Sequence, residues 1–488
     1  MDKKKVSKTQ QPVLLDLEVD RSLPQPLYQQ IVVQLRSRIA NGSLQKGNRL
    51  PPTRELASHL GVTRNIIVSV YDQLIGDGVI EGSGRHGTFV SAVGRASAAD
   101  IGAGHKKPPA LLLRDSESGA PAAAPKFDWM PGQTMVRALP SAAWRSACRK
   151  AGRHLPPANH GDPQGDIGLR KAIAGWLADN RCLQTDPEQI VITRGSGDFL
   201  KFLAEALIRA GDLCAIEDPG HSVVSHALLA AGARLRHVAV DSEGLLVPQA
   251  FGNGVGPALL HVTPSHQYPM GSRLSLKRRR ALVDAAERHG TLLLENEYGC
   301  EFVYAGSDFP TLYSMAPANT VLIGTFANTA TPAMRLGFAI APRRAVERVI
   351  SIIEQNSAQP SWAGQKIIEA LILSGDLDRH VRRSLRHYTT MCKMIRDRLA
   401  PYNQQVLVLG DIGGLHVVVR GRDSTFDAAL QRSLARQAVK FQPVAKLAVS
   451  ASDCTGFILG YGHMDSAELR ASLDVLEDCI NGTAGAVD

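Results

Sequence analysis

The stretch that decides the fold of most of this chain is VLIGTFANTATPAMRLGFAI, residues 321–340. It opens with the apolar run VLIGTF, and four comparable runs precede it: IVITRG, LCAIEDPG, ALLHVTPS and TLLLENEY. Helical stretches such as LKFLAEALIRAG and LSLKRRRALVDAAERHG alternate with these runs. Short apolar strands that alternate with helices are typical of a mostly parallel sheet covered by helices on both faces. The chain from about residue 126 onward is therefore predicted to be an α/β domain.

The bulk composition is that of an ordinary globular protein, with 44% hydrophobic and 21% charged residues in 488. A chain of this length is expected to form at least two domains. It has no apolar run long enough to span a bilayer, and its first residues, MDKKKVSKTQQ, are charged. We predict a cytoplasmic protein without a membrane partner. The seven cysteines show no CxxC pairing, so neither a zinc site nor a disulfide framework is indicated.

The chain has 55 Lys and Arg against 46 Asp and Glu, a net charge of +9. This excess is compatible with nucleic-acid binding, but the position of the basic residues matters more than their sum. A segment rich in Ala, Gly, Ser and Pro, AVGRASAADIGAGHKKPPALLLRDSESGAPAAAP, has the composition of a linker. Four parts are predicted: a basic tail at 1–25, a small helical domain at 26–91, a flexible linker at 92–125 and the α/β domain at 126–483.

The small domain shows the pattern of a helix-turn-helix in RLPPTRELASHLGVTRNIIVSVYDQLIGDGVIEGSGRHGTFV, residues 49–90. The segment RELASHL predicts a short amphipathic helix that ends at Gly61. Thr63 is a favourable N-cap for a second helix. Ile66, Val70 and Leu74 follow at helical spacing and are predicted to face the core.

The open side of that second helix is predicted to meet DNA. Its N-terminal residues Thr63, Arg64, Asn65 and Ser69 are polar, and a recognition helix meets bases and phosphates at this end. VIEGSGRHGTFV then predicts two short strands around a Gly-rich tip, a wing suited to the minor groove or the backbone. The alternative is a helical domain whose arginines are only solvated, and the combination of arginines on this scaffold disfavours it.

The segment LYQQIVVQLRSRIANGSLQKGNRLPPTRELASHLGVTRNIIVSVYDQL resembles the winged helix-turn-helix of the GntR family of bacterial regulators. In that family the arginine of PPTREL, the opening of the recognition helix and the Gly-rich wing contact the operator. The resemblance implies a double-stranded DNA operator as partner. The predicted DNA-binding residues are Arg49, Thr53, Arg54, Thr63, Arg64, Asn65, Ser69, Arg85, His86 and Gly87.

Further motifs lie in order along the α/β part: HGDPQGDIGLRKAIAGWL, ITRGSGDFLKFLAEAL, IEDPGHSVV, HVTPSHQYPMGSRLSLKRR, ENEYGCEF and the opening stretch. They resemble the aminotransferase domain of MocR-type regulators, in which a GntR domain is joined to an aminotransferase-like domain. The implied fold class is an α/β C-terminal domain, fold-type I aminotransferase-like with a mostly parallel sheet, plus the N-terminal winged helix-turn-helix. Such relatives bind pyridoxal phosphate as an effector-sensing group and generally do not catalyse turnover of a substrate.

Pyridoxal phosphate chemistry needs a lysine amine for the Schiff base and a carboxylate beside the pyridinium nitrogen. At the matching positions this chain has Asn328 for the lysine and Asn296 for the aspartate. An asparagine amide cannot form a Schiff base, and it offers the ring only a neutral hydrogen bond. Near the C-terminus, Ile458 stands where many relatives have an arginine that grips a substrate carboxylate. We therefore predict that covalent attachment and transaminase activity are lost.

The phosphate side of the pattern is kept. Gly195, Ser196 and Gly197 are predicted to form a phosphate-binding turn before a helix that begins near Asp198, Thr325 supplies a hydroxyl and Arg335 matches the phosphate arginine. The predicted cofactor- or effector-binding residues are Ser196, Gly197, His221, His266, Asn296, Tyr298, Thr325, Asn328 and Arg335.

Three functions remain open for the larger domain. It could sense a small ligand, phosphorylated or amino-acid-like, and hold pyridoxal phosphate at most non-covalently. It could be a pyridoxal-phosphate-dependent aminotransferase with a fused DNA-binding domain, which would need another lysine; Lys277 is poorly placed for this role. It could also be a ligand-free dimerisation scaffold. The sensor is favoured, and a homodimer is expected in each case because two recognition helices can bind two half-sites.

Overall fold

The computed structural model describes residues 16–83, 87–91, 124–252, 254–304, 309–410, 412–449 and 454–487. The chain divides into two compact units, Met1–Pro121 and Ala122–Asp488. Residues 84–86 at the wing tip, the tail before residue 16 and nearly all of the predicted linker lie outside the described residues. The exact domain boundaries therefore stay a prediction. No described helix is both long enough and apolar enough to cross a membrane.

The first unit is a winged helix-turn-helix, as the sequence predicts. Three helices, α1 (Leu27–Ala40), α2 (Thr53–His59) and α3 (Arg64–Gly76), are followed by the strands β1 (Ile80–Gly82) and β2 (Thr88–Val90). The two strands pair antiparallel, with Ile80 opposite Val90. Gly61 has a φ of +60°, which makes the sharp turn between α2 and α3.

The core of this unit differs at one position from the prediction. Val70 and Leu74 of α3 are fully buried, but Ile67 is the third buried residue of the face. Ile66 is only half-buried at the edge of the cluster. Positions 67, 70 and 74 are spaced i, i+3 and i+7, which is as compatible with a helical stripe as the spacing we predicted. Sequence spacing alone could not choose between two adjacent isoleucines.

The second unit begins with β3 (Phe127–Asp128) and combines two sheets with many helices. Its helices are α4 (Ser141–Ala151), α5 (Ile167–Arg181), α6 (Ser196–Leu207), α7 (Ser222–Ala230), α8 (Val247–Phe251), α9 (Leu276–His289), α10 (Leu312–Met315), α11 (Arg343–Gln355), α12 (Trp362–Leu373), α13 (Asp376–Leu399), α14 (Ser424–Arg436) and α15 (Ser466–Val487).

The large sheet confirms the α/β prediction. Its eight strands are β4 (Ile190–Thr193), β5 (Leu213–Asp218), β6 (Arg234–Asp241), β7 (Gly244–Leu245), β8 (Leu259–Val262), β9 (Leu292–Asn296), β10 (Thr320–Thr325) and β11 (Gly337–Ile340). They lie in the order β4-β11-β10-β9-β8-β5-β6-β7. The central pairs from β10 to β6 are parallel, whereas β11 runs antiparallel to both of its neighbours.

Helices cover both faces of this sheet, which explains why its strands are continuous apolar runs. One face packs on α6, α7 and α11 in a core that includes Phe199, Leu203 and Val349. The other face packs partly on α5 and α12, around Ile173, Trp176 and Ile368. Both sides of each central strand are therefore removed from water.

The C-terminal part forms a smaller antiparallel sheet that the sequence patterning did not predict. Its strands are β12 (Val406–Leu409), β13 (His416–Gly421), β15 (Gln442–Pro443) and β16 (Phe457–Gly460), in the order β12-β13-β16-β15. A short strand β14 (Val439–Lys440) pairs with β3, the start of the unit. The buried faces of α13, α14 and α15 complete this core.

Candidate DNA-binding surface and ligand cleft

The first candidate surface lies at the N-terminus of α3. Thr63 is the N-cap residue, and Arg64, Asn65 and Ser69 are exposed on the following turns. Arg54 is exposed on the second residue of α2. Free backbone N–H groups at a helix start and exposed arginines form a surface that favours phosphate. These five residues leave one side of the helix-turn-helix available to a polyanion.

Contacts within the unit orient two of the basic side chains. The Arg64 Nε lies 3.5 Å from Thr53 Oγ1, so the two helices meet at this side chain. Arg49 forms an isolated bridge with Phe89 and lies against Gly87, where an added Cβ would be 2.9 Å from the Arg49 Nε. Gly87 also has a φ of +109°, a conformation that disfavours any other residue. Arg85 and His86, predicted at the wing tip, are outside the described residues.

The second candidate site lies at one edge of the large sheet. β4, β5, β8, β9 and β10 all run in the same direction, so their carboxyl ends share this edge. The predicted ligand residues follow these strand ends or lie on their last positions. In an open α/β sheet, ligands bind outside the carboxyl ends of the strands. The sequence-predicted residues are thus assembled by topology from distant parts of the chain.

The predicted phosphate side begins with a tight turn. Gly195 has a φ of +97° and is the N-cap residue of α6, which starts at Ser196 and continues through Gly197. We expected the helix near Asp198; it begins two residues earlier. The N–H groups of a helix's first turn have no partner within the helix. Such N–H groups can bind an anion, and here they lie at the carboxyl end of β4.

The other phosphate-side residues reach the same edge through strand register. Thr193 is opposite Gly337, and Gly337 is opposite Thr325, so Thr325 is two strands away from the turn after β4. The Thr325 hydroxyl accepts a hydrogen bond from the Ala327 backbone N–H at 3.1 Å. Arg335 precedes β11 with a φ of +49°, and its side chain is exposed. The arginine is therefore near this edge without being enclosed by it.

The asparagines at the positions predicted to match the lysine and the aspartate both make neutral hydrogen bonds. The Asn328 side-chain amide donates to the Tyr298 backbone carbonyl. The Asn296 Nδ2 lies 3.4 Å from the His261 Nε2, while the buried Asn296 Oδ1 has no hydrogen-bond partner among the described residues. Neither site presents an amine or a carboxylate to a ligand.

Aromatic and imidazole rings fill the middle of the cleft. The ring of His221 stacks on Tyr268, with centroids 4.0 Å apart and an interplanar angle of 10°. Tyr298 stands edge-on to His221 at 5.2 Å, and His261 does so at 6.3 Å. The buried His221 Nε2 has no hydrogen-bond partner within the described part of the chain. Stacked flat rings of this kind can bind another planar ring.

His266, which was predicted at the cleft, and its neighbour Gln267 support the residues of the cleft. The His266 Nδ1 is 2.9 Å from the Tyr298 hydroxyl, and its ring packs closely against Gly414, where an added Cβ would be 2.6 Å away. Gln267 donates to the Pro219 carbonyl at 2.9 Å. Together they hold Tyr298 and the loop after β8 in position.

Burial keeps the imidazoles of the cleft neutral. It lowers the pKa of His221, His261 and His416 to about 3, and that of His266 to about 4. Repulsion from a second imidazole adds to the effect at His221, where the neighbour is His416. Burial also raises the pKa of Glu217 to about 7, although hydrogen bonds from Thr263 act to lower it. At neutral pH the cleft therefore contains neutral rings where a charged cofactor site would have ions.

Sequence reasoning missed three members of this site: His261, Tyr268 and His416. His261 lies inside the apolar strand LLHV, and a polar residue in a fully buried run was the available signal. His416 begins β13, some 150 positions later, and contacts His266 at a centroid distance of 5.2 Å. No local pattern connects two residues so far apart in the chain.

Covalent pyridoxal phosphate does not fit these residues. Asn328 has no amine, and Lys277, the alternative lysine, is exposed on the second residue of α9. Ile458 is fully buried beside Val418 and Val444, so no charge stands at the position of the carboxylate-binding arginine. Among the described residues no group of His, Cys, Asp or Glu is arranged to hold a metal ion.

The sequence matches two protein families, one in each unit. Residues 27–90 match the bacterial regulatory proteins of the gntR family. Residues 132–469, more than half of the chain, match aminotransferase class I and II. The two matches correspond to the two units of the structure.

Two similar relatives extend over nearly the whole chain. The probable rhizopine catabolism regulatory protein MocR of Rhizobium meliloti is 29% identical over 472 residues, covering 94% of this chain and 95% of the relative. The HTH-type pyridoxine biosynthesis transcriptional regulator PdxR of Corynebacterium glutamicum is 31% identical over 472 residues, covering 96% and 98%. Both names describe regulators.

Similar solved structures are aminotransferases. An archaeal alanine:glyoxylate aminotransferase has a TM-score of 0.68 at 20% identity, covering 74% of this chain and 92% of that one. The α-aminoadipate aminotransferase LysN of Thermus thermophilus, solved with N-(5'-phosphopyridoxyl)-L-leucine, has a TM-score of 0.66 at 20% identity, covering 74% and 93%. At such identities the likeness concerns the fold alone.

Proposed function

Because this chain belongs to the aminotransferase class I and II family and is a DNA-binding transcriptional regulator of the GntR/MocR type, we propose that its aminotransferase-like domain senses a small ligand without covalent chemistry. The ligand would be a planar molecule with a phosphate or a similar anion. It would occupy the cleft at the carboxyl edge of the large sheet. Its binding would be communicated to the DNA-binding unit of the same chain.

The observation on which the proposal depends is the neutral state of both replaced positions. Asn328 is committed to the Tyr298 carbonyl, and Asn296 shares a neutral contact with His261. A cleft that binds no ligand would be expected to fill with apolar side chains. Instead, buried polar atoms of Asn296 and His221 are without hydrogen-bond partners among the described residues. Unpartnered buried polar atoms of this kind favour a site that a ligand completes.

Each residue of the cleft has a role in this proposal. The N–H groups of Ser196 and Gly197 would bind the anion, with the Thr325 hydroxyl and Arg335 beside them. His221 would stack on the planar ring, and Asn296 would donate to or accept from its edge. Tyr298, held by His266, would contact a ring substituent. Pyridoxal phosphate or a close analogue, held non-covalently, has these features.

We also propose that the chain acts as a homodimer. A dimer presents two recognition helices to two half-sites, as helix-turn-helix regulators do. In the DNA-binding unit, Arg54, Arg64 and Asn65 would contact the operator, supported by Arg49 and the wing.

The test uses purified full-length protein with added pyridoxal phosphate, followed by visible absorbance, borohydride reduction and calorimetry. We expect no visible aldimine band and no borohydride-stable adduct, together with saturable binding heat. Asn328→Lys combined with Asn296→Asp should produce the visible band, because the amine and the carboxylate are restored. Asn328→Gln with Asn296→Asp is the matched control and should remain colourless.

Two results would contradict the proposal in different ways. A borohydride-stable adduct on the parent protein would show that another lysine anchors the cofactor and would favour an enzyme. An absence of binding heat with pyridoxal phosphate, pyridoxine 5'-phosphate and inorganic phosphate alike would favour a ligand-free dimerisation scaffold.

A further inference from the structure

The positive charge of the second unit is concentrated on one helix. Residues 122–488 include 39 Lys or Arg and 35 Asp or Glu, an excess of four. Helix α13 alone includes seven Lys or Arg and three Asp or Glu, also an excess of four. The remainder of the unit is therefore balanced, with 32 residues of each sign. An ordinary solvated surface would distribute both signs more evenly.

Five of the seven basic residues of α13 share one exposed face, which we call the α13 basic face, whereas Arg398 pairs with Asp474 and Glu477. Arg379, Arg382, Arg383 and Arg386 are spaced i, i+3, i+4 and i+7, and Lys393 follows two turns later. All five are exposed. From Arg379 to Lys393 the face extends about 20 Å along the helix axis.

Few acidic groups neutralise this face. Asp376 pairs with Arg379 at 2.8 Å, and Asp378 accepts a hydrogen bond from the Trp176 indole at 2.6 Å. Within the described part of the chain, Arg382, Arg386 and Lys393 have no ion-pair partner. These three side chains are available to an external anion.

Neighbouring elements add further cations at the N-terminal end of the helix. Arg383 donates a hydrogen bond to the Ala138 carbonyl at 3.0 Å. Arg137, which precedes Ala138 in the chain, therefore lies near this end of the helix. Lys150 of α4 is close enough for its charge to lower the pKa of Asp376, after the larger effects of Ser374 and Arg379. The α13 basic face is thus part of a broader positive surface.

The helix presents this face rigidly. Its opposite side is anchored in the C-terminal core by Tyr388, Met391 and Ile395, and at its first turn by Leu377 in the core around Ile173 and Ile368; the four anchors are each at most 1% exposed. A fixed row of cations with a repeat along about 20 Å fits an equally regular row of anions. Duplex DNA supplies one negative charge per roughly 1.7 Å of its axis.

We propose that the α13 basic face binds the phosphate backbone of duplex DNA outside the sequence contacted by the helix-turn-helix. The chain is a DNA-binding regulator, so this polyanion is present whenever it functions. The stretch between the described parts of the two units, residues 92–123, is long enough to reach on the order of 100 Å when extended. A single chain can therefore contact two separate places on one duplex.

The test measures the affinity of the full chain for a mixed-sequence duplex of about 60 base pairs across a salt series. The variant is Arg382→Gln/Arg386→Gln/Lys393→Gln. We expect a fall in affinity of about tenfold and a salt slope shallower by up to about three, because each lost phosphate contact removes nearly one released counterion.

The matched control changes the same number of charges on another helix. Arg343, Arg344 and Arg348 of α11 are exposed, and the control replaces all three with Gln. It should keep the parent affinity and salt slope. If both triple variants weakened DNA binding equally, or if neither weakened it, the proposal would be overturned. The α13 basic face would then be a solvated surface or a binding surface for another protein.

A charge-conserving variant guards against misfolding. Arg382→Lys/Arg386→Lys/Lys393→Arg should bind DNA with nearly the parent affinity, since backbone contacts depend mainly on charge. Loss of binding in this variant, with an unchanged circular dichroism spectrum, would also overturn the proposal.

Discussion

At the scale of single residues, our proposal is that the cleft differs from an aminotransferase site through a few side chains that change charge. Asn296 and Asn328 remove a carboxylate and an amine, and each forms a neutral hydrogen bond. His261 and His416 are buried and His221 is half-buried, and burial lowers the pKa of all three to about 3, so these imidazoles add no positive charge to the cleft at neutral pH. Such a site can recognise a ligand by shape and hydrogen bonding, and it lacks the electron sink that the cofactor chemistry requires.

The neutrality of His221 predicts a pH dependence of stability. Burial lowers its folded-state pKa to about 3, while an unfolded imidazole titrates near 6.5. Between these values the unfolded state binds more protons, so this stability is present above about pH 6.5 and is lost as the pH falls toward 3. His221→Phe removes the titrating group. The difference in free energy of unfolding between this variant and the parent should therefore be about 1–2 kcal/mol more in favour of the variant at about pH 5 than at about pH 8.

Urea unfolding of the parent and the variant at the two pH values measures this difference. His226→Phe is the control, because His226 is exposed on the same helix, α7. A His221 variant whose stability relative to the parent is the same at both pH values would show that the imidazole is not buried in its neutral form.

Arg64 is the residue for which we expect the largest effect on DNA binding. It is exposed at the start of α3, and its Nε approaches Thr53 Oγ1 at 3.5 Å, which limits its freedom. Arg64→Ala should weaken operator binding by about 1–3 kcal/mol. Gel shifts with a duplex selected from a random library would measure this effect. Arg36→Ala is the control. It removes a cation of α1 that is paired with Asp77, and it should change the affinity for the operator less.

From the sequence we predicted that Asn296 and Asn328 are replaced residues, which stays a prediction, but we did not predict the packing around them. Asn296 and Asn328 could be identified because they interrupt a motif of fixed spacing. The stack of His221 on Tyr268 joins the loops after β5 and β8, and the contact of His266 with His416 joins the two sheets. These pairs depend on tertiary packing, which leaves no mark at short sequence distance.

At the scale of elements, five of the eight strands of the large sheet, β4, β5, β8, β9 and β10, were predicted from apolar runs, whereas the strand order was not predicted. Continuous apolar runs such as IVIT and LLHV identify strands that are buried on both faces. The antiparallel strand β11 lies between β4 and β10 and follows a turn in which Arg335 has a φ of +49°, and no sequence pattern indicated this order. The small C-terminal sheet escaped prediction because its strands pair across long segments, such as β13 with β16.

The start of α5 offers a prediction about an element. Asp166 caps this helix by accepting hydrogen bonds from Gly168 and Leu169, at 2.9 and 3.2 Å, and it pairs with Lys366 of α12 at 2.8 Å. Asp166→Ala should lower the free energy of unfolding by about 1–3 kcal/mol, because both the cap and the ion pair are lost.

Asp166→Asn separates the two contributions, since an asparagine caps a helix almost as well as an aspartate and cannot pair with a lysine. Its loss, measured by chemical denaturation, should be clearly smaller than that of the alanine variant. Equal losses would mean that the ion pair, and not the cap, fixes the start of α5.

At the scale of the whole molecule, the homodimer that we propose joins two recognition helices, and the larger unit is the part expected to join them. Its sequence matches a family over residues 132–469, while the DNA-binding match covers only residues 27–90. Leu155, 91% exposed, and Ile167, 42% exposed, line one open depression of this unit. Exposed apolar groups gathered in one place are typical of a surface that another protein covers.

We therefore expect a dimer in sedimentation equilibrium, both for the full chain and for a chain that begins at residue 126, and a weak dimer or monomer for the isolated first unit. Leu155→Glu should weaken the dimer of the larger unit at least tenfold, because a carboxylate would be buried without a partner. Val255→Glu is the control: Val255 is 86% exposed and does not line this depression, so the dimer should persist. A larger unit that is monomeric at micromolar concentration would contradict the homodimer, and two half-sites would then have to be joined through the DNA-binding units themselves.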